Sequence, residues 1–152
     1  MDPAETIERL NDLIQHDCDA IAAYEAAIER IDVESIRARL REFQSDHRRH
    51  VADLSAQVQR LGGTPRQRPG ARGFVLEGFT AITSLMGTEA ALRAMQGNEK
   101  LANSGHANAL RLDWPEELRT LIERNLRDEQ RHLFYIEDAL RNRIWEQSDA
   151  HP

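Results

Sequence analysis

The sequence predicts an all-α protein, a bundle of four antiparallel helices with a long crossover between the second helix and the third. In four segments, apolar residues recur at every third and fourth position, the spacing that lines one face of an α-helix. Short turns within the first pair and the second pair make the helices of each pair antiparallel neighbours. We expect helices at about 3–31, 34–61, 88–111 and 115–147, and a crossover at 62–87 that includes a short extra helix.

Length and composition predict a single domain that spans residues 1–152. A content of 30% charged and 40% hydrophobic residues, with 5% aromatic residues, suits a soluble helical protein. The net charge of −6 argues against nucleic-acid binding. No stretch approaches the length of a membrane span, and the N-terminus lacks the features of a secretion signal. We therefore expect a cytoplasmic protein without a membrane partner.

The first helix has a clear start and a mostly apolar inner face. Asp2 is a typical N-cap, Pro3 suits the first turn, and Glu5 faces the positive end of the helix dipole. The carboxylate of Asp17 and the phenol of Tyr24 interrupt the apolar face. The inner face comprises Ile7, Leu10, Ile14, Asp17, Ile21, Tyr24, Ile28 and Ile31. A very short turn, closed by Asp32 or Ser35, leads into the second helix.

Two histidines interrupt the inner face of the second helix. This face comprises Ile36, Leu40, Phe43, His47, His50, Leu54, Val58 and Leu61. Gly62-Gly63 is a left-handed stop signal, which predicts that the helix ends there. The polar, Pro/Gly-rich residues 64–73 then begin the crossover, and residues 74–86 have a helical pattern again.

The third and fourth helices carry buried-face carboxylates as well as histidines. The third begins near Thr88 and has Glu99 and His106 on its inner face. The fourth is expected to have a capped start at Asp113-Trp114-Pro115-Glu116, and its inner face comprises Leu118, Ile122, Asn125, Glu129, His132, Ile136 and Ala139. An unpaired ionised carboxylate costs several kcal/mol to bury, so the interior must compensate Glu129. The Glu-x-x-His spacing of Glu129 and His132 indicates a metal ion.

An internal repeat places these polar residues at one level of the bundle. Adding 82 to the inner positions of the first helix pair gives inner positions of the second: Asp17 corresponds to Glu99, Tyr24 to His106, His47 to Glu129, and His50 to His132. Each residue lies near the middle of its helix, and the midpoints of antiparallel helices of similar length lie together. Six candidate metal ligands therefore converge in the core: Asp17, His47, His50, Glu99, Glu129 and His132.

These residues resemble the pattern of the ferritin-like superfamily, and within it small bacterial ferritin-like proteins of uncharacterised function. The pattern of these di-iron carboxylate bundles is one carboxylate from each of two helices and Glu-x-x-His from each of the other two. Asp17 matches the first-helix carboxylate, with Tyr24 two turns later. Glu99 matches the third-helix carboxylate, and Glu129 with His132 matches the fourth-helix motif.

The sequence departs from that pattern at two positions. His47 stands where the superfamily has a glutamate that commonly bridges two metals, and Asp17 is one methylene shorter than glutamate. The set therefore has three carboxylates and three histidines. Asp46 is a reserve ligand or a partner that orients a ligating imidazole, because the repeat places it just off the inner face with Asp128.

The resemblance implies a non-haem dimetal protein and is compatible with oxidoreductase activity of the ferroxidase or peroxidase type. Nitrogen and oxygen donors suit iron or manganese, with zinc also compatible, and the resemblance favours two iron ions that react with O2 or peroxide. Glu129 and Glu99 are the expected bridges, and His50 and His132 the terminal ligands. Tyr24 and His106 are expected to hold carboxylates or to pass protons and electrons.

Two alternatives remain open from the sequence. In one, the protein is a non-catalytic ferritin-like stress or interaction protein whose buried groups form a structural network, with His47 paired to Glu129 and His50 to Asp17. The other concerns assembly: a homodimer through Phe74, Val75, Leu76 and Phe79 is compatible with the sequence, whereas a storage cage is disfavoured because no fifth helix follows Gln147.

Overall fold

The computed structural model describes residues 1–66 and 87–149. Four long helices and one short helix make up the regular structure of these residues, which confirms the all-α prediction. They are α1 Pro3–Arg30, α2 Glu34–Arg60, α3 Thr88–Ala109, α4 Glu116–Asn142 and α5 Ile144–Asp149. None of the described helices has the length and apolar character that crossing a membrane requires.

The four long helices pack as two hairpins. α1 packs along α2, α3 packs along α4, and α1 joins the hairpins by packing against α3. Contact between α2 and α4 is much sparser. The predicted extra helix and the predicted dimer contacts at residues 74–79 fall within residues 67–86, which lie outside the described part of the chain.

The first hairpin begins and ends as the sequence predicts, but within it Val33, and neither Asp32 nor Ser35, holds the N-cap position of α2. Asp2 is the N-cap of α1, and its Oδ1 accepts a 2.8 Å hydrogen bond from the Glu5 backbone N–H. After α2, Gly62 has φ +85°, the left-handed conformation in which a side chain would be strained. Gly63 N–H then donates to Val58 O at 2.9 Å, which satisfies a carbonyl in the last turn of α2.

The start of α4 differs from the capped start that the sequence suggests. Pro115 holds the N-cap position, and no side chain caps the first turn. Trp114 is buried instead, and its indole N–H donates to Ala109 O at 2.7 Å. Arg119 donates to the carbonyls of Leu110 and Leu112 at 2.9 and 2.6 Å. Packing and bonds across the α3–α4 turn therefore set this boundary.

The predicted fourth helix, 115–147, is divided in two by Arg143. This residue has φ 47° and ψ 52°, a left-handed conformation that ends α4 at Asn142. Its guanidinium donates to Glu89 Oε1 on α3 at 2.9 Å and to Glu146 Oε1 at 2.7 Å. After this change of direction, Ile144 and Trp145 of α5 pack against the core.

Within residues 1–66 and 87–149, the interior contains two apolar clusters, each built from all four long helices or their adjoining turns. One includes Tyr24, Ile28, Ile36, Leu40, Phe43, Leu92, Met95 and Ile136. The other includes Leu10, Ile14, Leu54, Val58, Trp114, Leu118 and Ile122. The six candidate ligands belong to neither cluster and lie where one cluster gives way to the other, so a polar layer crosses an otherwise apolar core.

Candidate metal centre

All six candidate ligands lie in this polar layer and are shielded from solvent. The helical period turns each of them inward with its apolar neighbours, and none is more than 1% exposed. Ionisable side chains are almost never buried to this extent unless they are paired or bind a metal. The six residues are contributed by all four long helices: Asp17, His47, His50, Glu99, Glu129 and His132.

The first group combines Asp17, His47, His50 and Glu129. Asp17 Oδ1 lies 2.8 Å from His47 Nδ1 and 3.0 Å from His50 Nδ1. Glu129 Oε1 lies 3.5 Å from His47 Nδ1 and 3.7 Å from His50 Nδ1. One nitrogen or oxygen from each of the four residues is therefore turned toward a common centre.

The second group combines His47, Glu99, Glu129 and His132. Glu99 Oε1 lies 3.3 Å from His47 Nε2 and 3.4 Å from His132 Nδ1. Glu129 Oε2 lies 3.7 Å from His132 Nδ1. His47 and Glu129 thus belong to both groups, and each offers a different atom to each group. Glu99, which the resemblance implied as a second bridge, belongs to the second group alone.

The internal repeat relates the two groups to one another. It exchanges Asp17 with Glu99 and His50 with His132, and it exchanges the two shared residues, His47 and Glu129. Applying the exchange to the first group yields the second. The centre therefore has pseudo-twofold symmetry, as the sequence repeat predicts, with a histidine on one side of the axis and a glutamate on the other.

A carboxylate on the opposite helix holds each of the two outer imidazoles. His132 Nε2 of α4 lies 2.8 Å from Asp46 Oδ2 of α2, and His50 Nε2 of α2 lies 2.9 Å from Asp128 Oδ2 of α4. Each pair leaves Nδ1 as the nitrogen that faces the centre. Asp46 therefore occupies the orienting position that the sequence analysis considered for it, and it belongs to neither group. Asp128 is its equivalent.

The role of Asp128 was missed by the sequence analysis, although the repeat was a usable signal because it pairs Asp128 with Asp46. Arg49 and Arg131 are related by the same repeat and neutralise these carboxylates. Arg131 donates to Asp46 Oδ2 at 2.8 Å and to Asp128 Oδ1 at 3.1 Å, and Arg49 donates to Asp128 and, at 3.2 Å, to Asp46. Two aspartates and two arginines thus cover the centre between α2 and α4.

Tyr24 and His106 are equivalent in the repeat but differ in their contacts. The Tyr24 hydroxyl donates to Glu99 Oε1 at 2.5 Å, so it holds a carboxylate as expected. His106 is buried, and its Nδ1–H donates to Ala102 O in its own helix at 2.9 Å. Its Nε2 has no hydrogen-bond partner in the part of the chain that the structure describes, and burial lowers the pKa of His106, which favours the neutral imidazole.

The carboxylates around the three central histidines favour their protonated forms. Burial alone would lower the pKa of His47, but Glu129, Asp17 and Glu99 raise it well above its ordinary value. Against the same effect of burial, Asp46 and the two glutamates raise the pKa of His132 to about 10. The pKa of His50 is also raised, mainly by Asp17. In the metal-free protein these positive rings balance the buried carboxylates.

The three carboxylates differ in how well the protein satisfies them. Burial would raise the pKa of Asp17, but hydrogen bonds with His47 and His50 lower it to about 2. Among the described residues, none donates a hydrogen bond to either oxygen of Glu129. Burial together with the charge of Glu99 raises the pKa of Glu129 to about 7, although His47 opposes this shift. Buried polar atoms are rarely left in this state. Further unpaired atoms of the centre are Asp17 Oδ2, Glu99 Oε2 and His132 Nδ1.

The donor set can hold a metal ion. Imidazole nitrogens and carboxylate oxygens suit iron, manganese or zinc, and each group offers four of them within the reach of one cation. Cys18 is buried and belongs to neither group, and burial raises its pKa, so no thiolate contributes. The fold and this centre define the chain as an α-helical bundle with a buried histidine and carboxylate cluster that can bind metal.

Residues 5–112 match the family described as "Domain of unknown function (DUF2383)", and the chain belongs to that family. The match includes α2, α3 and all of α1 after its first two residues, with four of the six central residues. It ends before α4, which supplies Glu129 and His132. No curated protein matches the sequence.

Proposed function

We propose that this chain is a ferritin-like dimetal protein that binds two Fe(II) ions in the bundle core and oxidises them with O2 or peroxide. The observation that carries the proposal is the pair of overlapping groups, each with four buried donors, whose carboxylate oxygens are left largely without hydrogen bonds. A cation in each group would compensate those oxygens, because charge–charge attraction is strong where water is excluded.

Each residue has a distinct part in this proposal. Asp17 and His50 would hold the ion of the first group, and Glu99 and His132 the ion of the second. His47 and Glu129 would contribute to both. Asp46 and Asp128 keep the outer nitrogens of His132 and His50 engaged, which presents Nδ1 to the metal.

Two Fe(II) ions supply two electrons, enough to reduce hydrogen peroxide with two protons to two molecules of water. The protein contributes an enclosed site and polar groups that can hold protons next to it. The Tyr24 hydroxyl holds its proton toward Glu99 at 2.5 Å, and burial beside Glu99 raises its pKa well above its ordinary value. Tyr24 therefore keeps its proton at neutral pH and anchors Glu99 as a hydrogen-bond donor.

The rival function is a structural network without metal. It is favoured by the hydrogen bonds that already link Asp17 to His47 and His50, at 2.8 and 3.0 Å. The partner that this alternative assigns to His47, Glu129, is 3.5 Å away and accepts no hydrogen bond. A network that leaves a buried carboxylate unsatisfied stabilises a fold poorly, which is why we place metal binding first.

Metal content and Fe(II) titration test the proposal. Protein purified without chelator should contain metal, and the metal-free protein should bind two equivalents of Fe(II) under anaerobic conditions. The melting temperature should rise, because a ligand at 100 times its Kd stabilises the folded state by about 2.7 kcal/mol per site. Fe(II) oxidation should then be faster with the protein than without it. Less than one equivalent bound, with no change in melting temperature, would support the structural network instead.

A further inference from the structure

We propose that His47 binds both metal ions at once, one through each ring nitrogen, and so bridges the two groups as an imidazolate. This inference rests on the proposed dimetal function. It starts from the orientation of the ring, which lies between the two groups. His47 Nδ1 faces Asp17 Oδ1 of the first group at 2.8 Å, and His47 Nε2 faces Glu99 Oε1 of the second at 3.3 Å.

The other two histidines are arranged differently. His50 and His132 each turn Nδ1 toward the centre, while their Nε2 atoms point outward to Asp128 and Asp46 at 2.9 and 2.8 Å. Each of these rings therefore has one nitrogen to offer a metal. Of the three imidazoles in the two groups, His47 alone has both nitrogens facing carboxylates of the centre.

The repeat explains why a histidine can take this position. Its equivalent, Glu129, directs Oε1 toward His47 and His50 of the first group and Oε2 toward His132 of the second. The two residues that are shared between the groups therefore face each other across the pseudo-twofold axis, each with one donor atom per group. Imidazole, like a carboxylate, has two donor atoms, but they lie farther apart.

Charge balance favours the imidazolate form of His47, in which neither ring nitrogen carries a proton. Two divalent cations bring four positive charges into a site with three carboxylates, those of Asp17, Glu99 and Glu129. With His47 neutral, one positive charge would remain uncompensated in a core that excludes water, which is costly. With His47 as imidazolate, the six residues carry four negative charges and the centre is neutral.

Proton balance is simple in this scheme. Each ring nitrogen of His47 faces a carboxylate oxygen, so in the metal-free protein each nitrogen can carry a hydrogen directed at one group. Two divalent cations take the places of those two protons, which leave to solvent, and no electron is transferred. Metal ligands must lose their protons to bind, so this exchange is the ordinary course of metal binding.

Anomalous diffraction from crystals of the wild-type protein grown with Mn(II) tests the bridge directly. Metal–nitrogen bonds of about 2.1 Å on opposite sides of one imidazole ring place the two ions about 6 Å apart. Two peaks at that separation, each beside one nitrogen of His47, would support the bridge. Two peaks about 3.5–4 Å apart, the spacing of ordinary two-metal sites, with His47 beside one of them, would overturn it while the dimetal function stood. Fewer than two peaks would overturn both.

Chemical rescue provides a second test that separates a bridge from a terminal ligand. His47→Ala should bind Mn(II) weakly at both groups, and added imidazole should restore two equivalents. N-methylimidazole has one nitrogen blocked, so it should restore one equivalent at most. Equal restoration by the two compounds would overturn the bridge.

His132→Ala is the matched control for this rescue. It removes a histidine of the same layer that belongs to one group, so it should retain one equivalent of Mn(II) without any added compound. Loss of both ions from His132→Ala would show that removing any one imidazole empties the centre. That result would overturn the proposal that His47 alone bridges the two groups. Since an alanine variant can fail to fold, circular dichroism of each variant precedes the titration.

Discussion

Replacing Glu129 with glutamine should stabilise the metal-free protein and weaken its metal binding. Glu129 is fully buried, and neither carboxylate oxygen accepts a hydrogen bond. Its pKa in the folded protein is about 7 instead of 4.5, mainly because burial disfavours the charged form. Glutamine keeps the shape of the side chain and removes the charge. If the role of the Glu129 carboxylate is to bind metal, the substitution should raise the stability of the metal-free protein and lower its affinity for metal.

The sign and size of the stability effect follow from that pKa. Between pH 4.5 and about 7 the folded protein holds a proton on Glu129 that the unfolded chain has lost, so stability falls as the pH rises through this range. Above it, ionised Glu129 costs on the order of 3 kcal/mol. Glutamine removes this cost but forms imperfect hydrogen bonds, so we expect a gain of roughly 1–3 kcal/mol at pH 8. The gain should vanish near pH 4.5.

Thermal unfolding and Mn(II) titration together measure both effects. A gain of 1 kcal/mol raises the melting temperature of a domain of this size by about 2–4 °C. Losing a residue that only orients a metal ligand typically lowers metal affinity by roughly 10–100-fold. The loss caused by Glu129→Gln should be larger, and it should affect both groups, because Glu129 belongs to each. Glu123→Gln, the same change on the same helix outside both groups, should alter neither quantity. A Glu129→Gln protein that melts lower and binds Mn(II) normally would refute this reasoning.

Three further predictions concern the protons, the tyrosine and the core. Mn(II) affinity should increase with pH up to about pH 10, because bound cations displace protons from imidazoles such as His132, whose pKa is about 10. Calorimetry in two buffers of different ionisation enthalpy counts the protons released on binding. Binding without proton release would contradict the assignment of the histidines as metal ligands. Tyr24→Phe should cost about 1–3 kcal/mol in urea unfolding and weaken metal binding about tenfold, since Glu99 loses its 2.5 Å hydrogen bond; unchanged affinity would exclude Tyr24 from the centre. Leu54→Ala, at a fully buried position, should cost about 2–5 kcal/mol and leave the metal stoichiometry unchanged, and altered stoichiometry would show that the apolar cluster shapes the site.

Much of the centre was predictable because burial in a helix is periodic. A helical residue that shares the spacing of Leu118, Ile122 and Ile136 must point into the core, so Glu129 and His132 could be placed there from the sequence. The 82-residue repeat then put the polar residues of the four helices at one level, and all six lie together in the structure. Helix ends were less predictable where contacts between helices decide them, as at Pro115 and Arg143.

The sequence by itself determined the four helices, their inner faces and the identity of the six central residues, because these depend on local periodicity and on the repeat. Only the tertiary structure decided which atom of each side chain faces which neighbour. Asp46 and Asp128 reach across to histidines of the opposite helix, and His47 lies with one nitrogen toward each group. Ring orientations depend on how the helices pack and on hydrogen bonds between residues far apart in the chain, and sequence spacing carries no record of either.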